Sequence, residues 1–342
     1  MPPIPMNKPT KLAVLGAINW DTTVFVRRFA EPGDEVPVLK LEEFPGGKGA
    51  NVASASARLL GPGRVAFIGA VGNDPVGSRL IEGLVSEGVH VDGVEVLPAK
   101  TGHALIIVDD EGRKAVHTSF GANDALAPAS LRSPGAKAVL SEANTTVIMD
   151  VPLPAAFEAA RAANEAGSRV IFSPCVRSGL GLARLRPVLD LTDTLVLDRG
   201  ELSRVSGTPR LADGVATLRA ALPLVTVVVT RGRSGSLVAE RGKTTAIPAV
   251  DPLSMGLRSV NATGAGDAFL AAFACYSMEG CPAPEAARWG NLAGALKTAS
   301  EETRGSPTRD ELEGRMRARF ALRRRRPGSP SKIASSRSRR RS

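Results

Sequence analysis

The chain of 342 residues is 43% apolar, which is enough to build one large α/β domain or two smaller ones around a sizeable core. No apolar run approaches the roughly 18 residues of a membrane span, and the proline-containing first ten residues hold no apolar signal segment, so we predict a cytoplasmic protein without a membrane segment. The three cysteines are odd in number and form no Cys-x-x-Cys pair, which argues against a disulfide framework and a zinc knuckle.

The net charge of +10 is concentrated at the carboxyl end of the chain. Residues 323–342 hold nine positive charges and no negative charge, so residues 1–322 carry a net charge of only +1. A nucleic-acid-binding protein needs basic residues on its folded surface, and this distribution argues against a specific nucleic-acid partner. We predict one folded domain over residues 1–322 and a basic, Ser/Arg-rich, disordered tail over residues 323–342.

Polar residues follow the first predicted strand. Residues 12–15 form an apolar run closed by Gly16, which is typical of a buried strand. Asn19 and Asp21 come next, and ligands of open α/β sheets bind beyond the carboxyl ends of the strands. We predict that both side chains bind ligand hydroxyl groups; the alternative is that they only build a turn. Residues 22–44 alternate apolar and polar in places, which predicts strands outside the main sheet.

A glycine-rich segment opens the first predicted helix. Gly46-Gly47-Lys48-Gly49-Ala50-Asn51 precedes the alanine-containing residues 52–60. The segment lacks the Gly-x-x-x-x-Gly-Lys-Ser/Thr spacing of a Walker A loop. It nevertheless places Lys48 and Asn51 at the mouth of a helix.

Strands and helices alternate through the middle of the chain. Residues 146–150 are typical of a strand that ends in an acid, Asp150, and residues 154–166 are typical of an alanine-rich helix. Residues 225–230 are rich in β-branched side chains, as in the central strand of a parallel sheet. This alternation predicts a doubly wound α/β fold with a mostly parallel central sheet flanked by helices.

A second glycine-rich segment, Asn261-Ala262-Thr263-Gly264-Ala265-Gly266-Asp267, introduces a strongly apolar helix. Its glycines let backbone N–H groups approach a ligand closely, and the helix behind them adds unpaired N–H groups and the positive end of its dipole. Such a helix start suits phosphate. Asp267 is placed to accept a proton from an attacking hydroxyl group. The alternative is an ordinary turn followed by a helix cap.

Together these motifs resemble the PfkB-type (ribokinase-like) carbohydrate kinases. The segment from Gly46 to Asn51 resembles the amino-terminal signature of that family, and Asn261 to Phe269 resembles its carboxyl-terminal signature. The resemblance extends over about residues 11–310. Within the family, Asn-x-Asp at residues 19–21 and Gly-Ala-Asn at residues 121–123 are most similar to ribokinases.

The resemblance implies a small β-sheet lid over the sugar, with strands from about residues 18–45 and 95–120, and a homodimer formed through this lid is one arrangement that follows from it. It implies that the sugar is oriented by Asn19, Asp21, Gly47, Lys48, Asn51, Asp150 and Asp267. It also implies that Asp267 is the catalytic base, and that the N–H groups of Gly264, Ala265 and Gly266 stabilise charge on the transferring phosphoryl group.

The nucleotide contacts that the resemblance implies involve Asp198, Thr230, Gly232, Gly235 and Asn291. Glu201 is expected to act on Mg²⁺ indirectly; the alternative for Asp198 and Glu201 is a pair of charges at a helix start. Asp198 stands where the family usually has Asn, which places one nucleotide contact in question. A monovalent cation, K⁺, would lie beside Asn261 and Thr263, but Asn261 replaces the usual aspartate, so we expect K⁺ to activate only weakly.

The resemblance therefore implies an enzyme that uses ATP and Mg²⁺ to phosphorylate a sugar hydroxymethyl group. D-ribose, giving ribose 5-phosphate, is the first candidate substrate. A related kinase for fructose, a sugar phosphate, a nucleoside or a deoxy-sugar acid is the alternative within the family. From another class, a non-catalytic sugar-binding sensor would keep the fold and lose the base, and the presence of Asp267 argues against it.

Overall fold

The structure, a computed structural model, describes residues 11–325. The strands are β1 (Leu12–Leu15), β2 (Asn19–Val26), β3 (Val38–Gly46), β4 (Val65–Gly72), β5 (Val89–Leu97), β6 (Gly102–Val108), β7 (Lys114–Ser119), β8 (Thr145–Met149), β9 (Arg169–Ser173), β10 (Thr194–Asp198), β11 (Thr226–Thr230), β12 (Ser236–Glu240) and β13 (Lys243–Ile247). The helices are α1 (Lys48–Leu60), α2 (Pro75–Ser86), α3 (Ala122–Ala125), α4 (Pro134–Glu142), α5 (Leu153–Glu165), α6 (Gly181–Leu189), α7 (Arg199–Ser206), α8 (Leu211–Ala221), α9 (Ala265–Met278), α10 (Ala283–Lys297) and α11 (Arg309–Arg325).

Nine strands form the central sheet, in the order β13-β12-β11-β10-β9-β8-β1-β4-β5. From β1 the chain passes to β4 and β5 on one side, then crosses to β8 on the other side and continues outward to β11. The strands from β5 to β11 pair in parallel, whereas β12 and β13 are antiparallel. The predicted doubly wound, mostly parallel sheet is confirmed. Ligands of such sheets bind beyond the carboxyl ends of the strands at the point of reversal, here between β1 and β8.

Helices cover both faces of this sheet. Apolar side chains of α1, α2, α9, α10 and α11 pack on one face, and those of α3 to α8 pack on the other. Every residue of β1 and β8 is buried. Strands buried on both faces are apolar almost throughout, which is why the sequence of β1 predicts its position so directly.

Four strands form a separate small sheet, in the order β3-β2-β6-β7. Strand β2 begins at Asn19 and pairs in parallel with β6, which places Asn19 opposite Gly102 and Asp21 opposite Ala104. The predicted small β-sheet is confirmed. Asn19 and Asp21 therefore belong to the first lid strand rather than to a turn, because the chain leaves β1 and enters β2 after only three residues.

The carboxyl end of the described chain is helical. Helix α11 runs to Arg325, so the first three residues of the predicted tail lie in this helix, and residues 326–342 lie outside the described residues. Within residues 11–325, no helix has both the length and the apolar character that spanning a bilayer requires.

Candidate active site

A cavity of about 410 Å³ lies where the carboxyl ends of the central strands meet the small sheet. Its lining includes most of the sequence-predicted residues: Asn19, Asp21, Gly47, Lys48, Asn51, Asp150, Asp198, Glu201, Thr230, Thr263, Gly264, Gly266 and Asp267. Ala104, Ile106 and Val116 of the small sheet add apolar groups to the lining. The small sheet also contributes the polar side chains of Lys114 and Thr118, so polar and apolar groups line the cavity on both sides.

The start of α9 forms one wall of the cavity. Gly264 precedes the helix with φ of +82°, and a Cβ atom there would overlap the carbonyl oxygen of Thr303, so only glycine fits. The first helical hydrogen bond runs from the Ala268 N–H to the Gly264 carbonyl. The N–H groups of Gly266 and Asp267 precede this ladder and face the same end of the helix, which makes the segment an anion site.

Asp267 is tied to the amino-terminal half of the chain through Asn51. The Asn51 Nδ2 donates a hydrogen bond of 2.8 Å to the Asp267 Oδ2. On its other side, Asn51 accepts through Oδ1 a hydrogen bond of 3.2 Å from the Arg304 Nε, and the Arg304 Nη2 donates to the Gly46 carbonyl at 3.1 Å. Because arginine has only donors, this contact fixes which end of the Asn51 amide faces Asp267. Both glycine-rich segments are thus joined in one site.

The electrostatic surroundings of Asp267 suit a proton acceptor. Burial raises the pKa of this carboxyl, while the Asn51 hydrogen bond and the Lys48 charge oppose the rise. A carboxylate with a raised pKa holds an abstracted proton more readily, and it still ionises near neutral pH if cations stand close by.

Two polar side chains, those of Asn19 and Asp21, lie at the lid end of the site. The Asn123 Nδ2 donates to the Asn19 Oδ1 at 2.9 Å and to the Ile18 carbonyl at 3.0 Å, which fixes the Asn19 side chain. Asp21 is 7% exposed and its Oδ1 has no hydrogen-bond partner within the described chain. Burial raises the pKa of Asp21 to about 6, although the Arg304 charge acts in the opposite direction. An unpaired buried oxygen of this kind calls for a donor from a ligand.

Asp150 completes this polar wall. It follows β8 with φ of +54°, a left-handed conformation that is uncommon outside glycine. Its Oδ1, like that of Asp21, is buried with no partner among the described residues, and burial raises its pKa although Lys48 opposes the rise. Strain of this kind is found where surrounding structure holds a side chain toward a ligand.

Lys48 is the cation at the centre of the site. Cys175, followed by the carboxylates of Asp150 and Asp267, raises the pKa of Lys48 above its usual range. Burial raises the pKa of the Cys175 thiol well above its own usual value, so this thiol is neutral at pH 7. The carboxylates are therefore the anions that balance the Lys48 ammonium.

A second depression of about 450 Å³ adjoins the cavity and shares Asp198 and Thr230 with it; Gly232 also lines it. The Asp198 carboxylate accepts from the Glu201 N–H at 2.6 Å, and the Glu201 carboxylate accepts from the Asp198 N–H at 2.8 Å. This reciprocal capping box begins α7. Asp198 and Glu201 therefore do form the charge pair at a helix start that was the alternative prediction for them. Both side chains nevertheless line the cavity.

The sequence matches the family described as pfkB family carbohydrate kinase over residues 9–309. The chain belongs to this family. The predicted family and the predicted activity of a carbohydrate kinase are therefore confirmed, and the site described above belongs to an enzyme.

Individual relatives agree with this assignment. A ribokinase from Haemophilus influenzae is 29% identical over 307 residues, which cover 88% of this chain and 96% of that protein. An ATP-dependent ribose-1-phosphate kinase from Halopiger xanaduensis is 30% identical and covers 89% of this chain and 97% of that protein. The structure of Arabidopsis thaliana ribokinase complexed with ribose and ATP is 27% identical, with a TM-score of 0.77 over 89% of this chain and 98% of that chain. The predicted ribokinase-like fold is confirmed.

Four predicted residues of this kinase lie outside the lining of the main cavity and of the adjoining depression. Gly235 has φ of +81° and packs against the end of β13, and Asn291 donates through Nδ2 to the Pro248 carbonyl at 3.0 Å. Ala265 is the first residue of α9, and its N–H, which was predicted to contact the phosphoryl group, instead donates to the Ala262 carbonyl at 3.2 Å. Asn261 accepts through Oδ1 from the Thr263 N–H at 2.9 Å and donates through Nδ2 to the Glu301 carbonyl at 2.7 Å. The Asn261 and Asn291 side chains thus bond to backbone groups of neighbouring segments.

The sequence prediction missed three residues that support the site. Asn123 belongs to the Gly-Ala-Asn motif at residues 121–123, and this motif could have indicated that Asn123 supports the site. Arg304 and Lys297 are lone basic residues that belong to none of the motifs recognised in the sequence. Both are buried, with exposures of 5% and 0%, and only the folded chain brings them beneath the site.

Proposed function

We propose that this carbohydrate kinase transfers the γ-phosphoryl group of ATP to the hydroxymethyl group of D-ribose, giving ribose 5-phosphate. The observation that carries the proposal is the pair of buried carboxylate oxygens, on Asp21 and Asp150, that lack donors within the described chain. A sugar with several free hydroxyl groups supplies such donors, and Asn19 and Asn51 add amide groups to the same wall. A relative of known structure was solved with ribose and ATP, which supports the same substrates here.

In this proposal, the carboxylates and amides hold the sugar so that its hydroxymethyl group lies beside Asp267. Asp267 accepts the hydroxyl proton as the oxygen attacks the γ-phosphorus. The N–H groups at the start of α9 and the Lys48 ammonium stabilise the negative charge on the transferring group. Positioning and electrostatic stabilisation of this kind supply most of the catalysis of phosphoryl transfer.

We place the nucleotide along the second depression, with Asp198, Thr230 and Gly232 beside it and its phosphates directed at α9. Within residues 11–325, no cluster of three or more His, Cys, Asp and Glu side chains could hold a metal ion. Mg²⁺ usually binds through one or two carboxylates together with substrate phosphates and water, so Glu201 and Asp198 fit such an ion. When bound, Mg²⁺ would neutralise charge on the phosphates.

The charge of the sugar end favours a neutral sugar over a sugar phosphate. Asp21, Asp150 and Asp267 line this cavity, and Lys48 and Lys114 are the cations of the lining. A phosphate on the sugar would add negative charge beside three carboxylates, which is unfavourable at short range. The charge of the site therefore favours ribose over ribose 1-phosphate, the sugar phosphate in the name of one of the relatives.

Initial rates with a panel of acceptors and ATP test the proposal. We expect ribose to give the highest kcat/KM, because a site built to bond several hydroxyl groups is left with unpaired polar atoms by analogues that lack them. We expect kcat/KM to be at least tenfold lower for 2-deoxyribose than for ribose. We expect it to be lower still for nucleosides, whose base would occupy space that Asp150 and the lid strands are expected to close. A tenfold preference for ribose 1-phosphate, a fructose phosphate, fructose or a nucleoside would reject ribose while leaving the family intact.

We expect Gly266→Ala to lower kcat about tenfold or more without destabilising the protein. A Cβ atom at Gly266 meets no protein atom within 4 Å, but Gly266 lines the cavity where the phosphoryl group is proposed to pass. Alanine is also the better helix former by about 1 kcal/mol. Gly314→Ala in α11 is the matched control, since its Cβ atom also meets open space. Wild-type kcat in Gly266→Ala would place the phosphoryl group elsewhere.

A homodimer through the lid and a cytoplasmic location stay predictions. The outer strand β3 carries exposed Val38, Leu39 and Leu41, apolar side chains that a second subunit could cover. Sedimentation velocity of the wild type and of Leu39→Lys tests the dimer; an unchanged oligomeric state in the variant would argue against this surface.

A further inference from the structure

A fully buried lysine lies beneath the phosphate-binding end of α9. Lys297, the last residue of α10, has an exposure of 0%. Its Nζ donates to the carbonyl oxygen of Asn261 at 3.1 Å and to that of Ser300 at 3.4 Å. Among residues 11–325, no carboxylate lies within ion-pair distance of this ammonium. Two backbone carbonyls thus accept from this ammonium, as in oxygen-lined sites that hold a small monovalent cation. Burial lowers the pKa of Lys297 to about 8, and the more distant charges of Asp267 and Glu302 oppose this fall.

The two carbonyls belong to loops that flank the site. Asn261 lies in the segment leading into α9, and Ser300 lies in the segment leaving α10. Further bonds join these segments: the N–H groups of Val260 and Asn261 both donate to the Thr298 carbonyl, at 2.7 and 3.1 Å. The Asn261 side chain adds its bond to Glu301. These bonds form a junction between the segment of Val260 and Asn261 and the segment from Lys297 to Glu301, in which Lys297 carries the positive charge.

The junction supports the anion site directly. Gly264 packs against the Thr303 carbonyl on one side, and the Lys297 Cε lies 3.4 Å from the position of a Gly264 Cβ atom. The ammonium therefore stands immediately behind the turn that presents the first N–H groups of α9. A positive charge at this depth both fixes the turn and adds to the potential that attracts phosphate.

We propose that Lys297 is a positioning residue whose ammonium serves as a covalently attached monovalent cation, holding the Asn261 and Ser300 loops so that phosphoryl transfer needs no dissociable cation. This inference rests on the proposed kinase function of the site. The proposal also explains why residue 261 is a neutral asparagine. No carboxylate is needed to bind a cation from solution if the cation is part of the chain, and both ends of the Asn261 amide already bond to backbone groups, of Thr263 and Glu301.

The wild-type enzyme gives the first test. We expect kcat in KCl, NH₄Cl or NaCl to stay within about twofold of kcat in choline chloride at constant ionic strength. Potassium-specific activation of fivefold or more would overturn the proposal, and this measurement requires no variant.

Variants give the second test. Lys297→Ala removes the ammonium and leaves a space, so we expect kcat to fall at least tenfold and to recover in part with K⁺, ammonium or propylammonium but not with choline. Lys297→Met fills the space without charge, so we expect the same loss and no recovery. Lys137→Ala, which removes an exposed lysine of α4, is the control. A Lys297→Met enzyme within twofold of wild type, or a Lys297→Ala enzyme that no small cation restores, would contradict the proposal.

Thermal melts separate this inference from the function on which it rests. We expect K⁺ and ammonium, compared with choline, to raise the Tm of Lys297→Ala and to leave that of the wild type unchanged. This readout needs no sugar substrate. If no sugar is phosphorylated but K⁺ and ammonium raise the Tm of Lys297→Ala, the substrate assignment fails and the proposed role of Lys297 stands. If sugar is phosphorylated but neither the rise in Tm nor the recovery of kcat is seen, the substrate assignment stands and the proposed role of Lys297 fails.

Discussion

Asp267→Asn is expected to lower kcat by about 10²- to 10⁴-fold, which is the contribution usual for a positioned general base. Asparagine has the same shape as aspartate and can still accept the Asn51 hydrogen bond, which is 2.8 Å long in the wild type. The fold and the sugar affinity should therefore survive, and the loss should lie in kcat rather than in KM. Such a split is the mark of an interaction made only in the transition state.

The pH profile adds a second readout for this variant. Burial raises the pKa of Asp267, so wild-type activity should fall as pH drops through that raised value. Asparagine does not titrate, and the corresponding limb should be lost or moved in the variant. Asp190→Asn, an exposed carboxylate at the end of α6, is the matched control and should match the wild type in rate and profile. A kcat for Asp267→Asn within threefold of wild type would remove Asp267 from the role of base.

The sequence predicted the parts of this site that follow from strand ends. Asp150 directly follows β8, and Asn19 and Asp21 open β2 three residues after β1. Parallel neighbours such as β1 and β8 must bring their carboxyl ends to one edge. The contact between Asn51 and Asp267 spans 216 residues of sequence. The resemblance to a family placed both residues at the sugar but did not imply that they bond to each other. The periodicity of apolar residues predicts where helices and strands lie, but it does not predict that the glycine-rich start of α1 faces that of α9.

The supporting residues could not be predicted for a different reason. Basic residues are normally exposed, and nothing in the local sequence marks Arg304, in an irregular segment, or Lys297, at the end of α10, as buried. Their burial depends on how the segment after α10 folds back on the glycine-rich loops. The same holds for the first residues of the predicted tail, since Arg323 to Arg325 continue α11 and the charge run itself gives no helix boundary.

Asp21→Asn is expected to lower kcat/KM for ribose by about 10²-fold and, at the same time, to stabilise the protein. The wild-type carboxylate offers an unpaired buried oxygen to ligand hydroxyl groups, and hydrogen bonds to a charged acceptor contribute about 1.5–3 kcal/mol each. The amide keeps one acceptor and loses the charge. The loss should therefore appear as weaker sugar binding, measured by calorimetry, and not as a change of fold.

The gain in stability has a defined pH dependence. Folding raises the pKa of Asp21 from 3.8 to about 6, mainly through burial, so ionising this group costs the folded state up to about 3 kcal/mol. The contribution of the protonated carboxyl is fully present below 3.8 and is lost as pH rises through about 6. Urea unfolding at several pH values should thus show little difference between wild type and Asp21→Asn at pH 4, and a more stable variant at pH 7. An equal difference in the free energy of unfolding at both pH values would mean that folding does not raise the pKa of Asp21. It would then also argue against an unpaired, buried Asp21 carboxylate that awaits a sugar hydroxyl group.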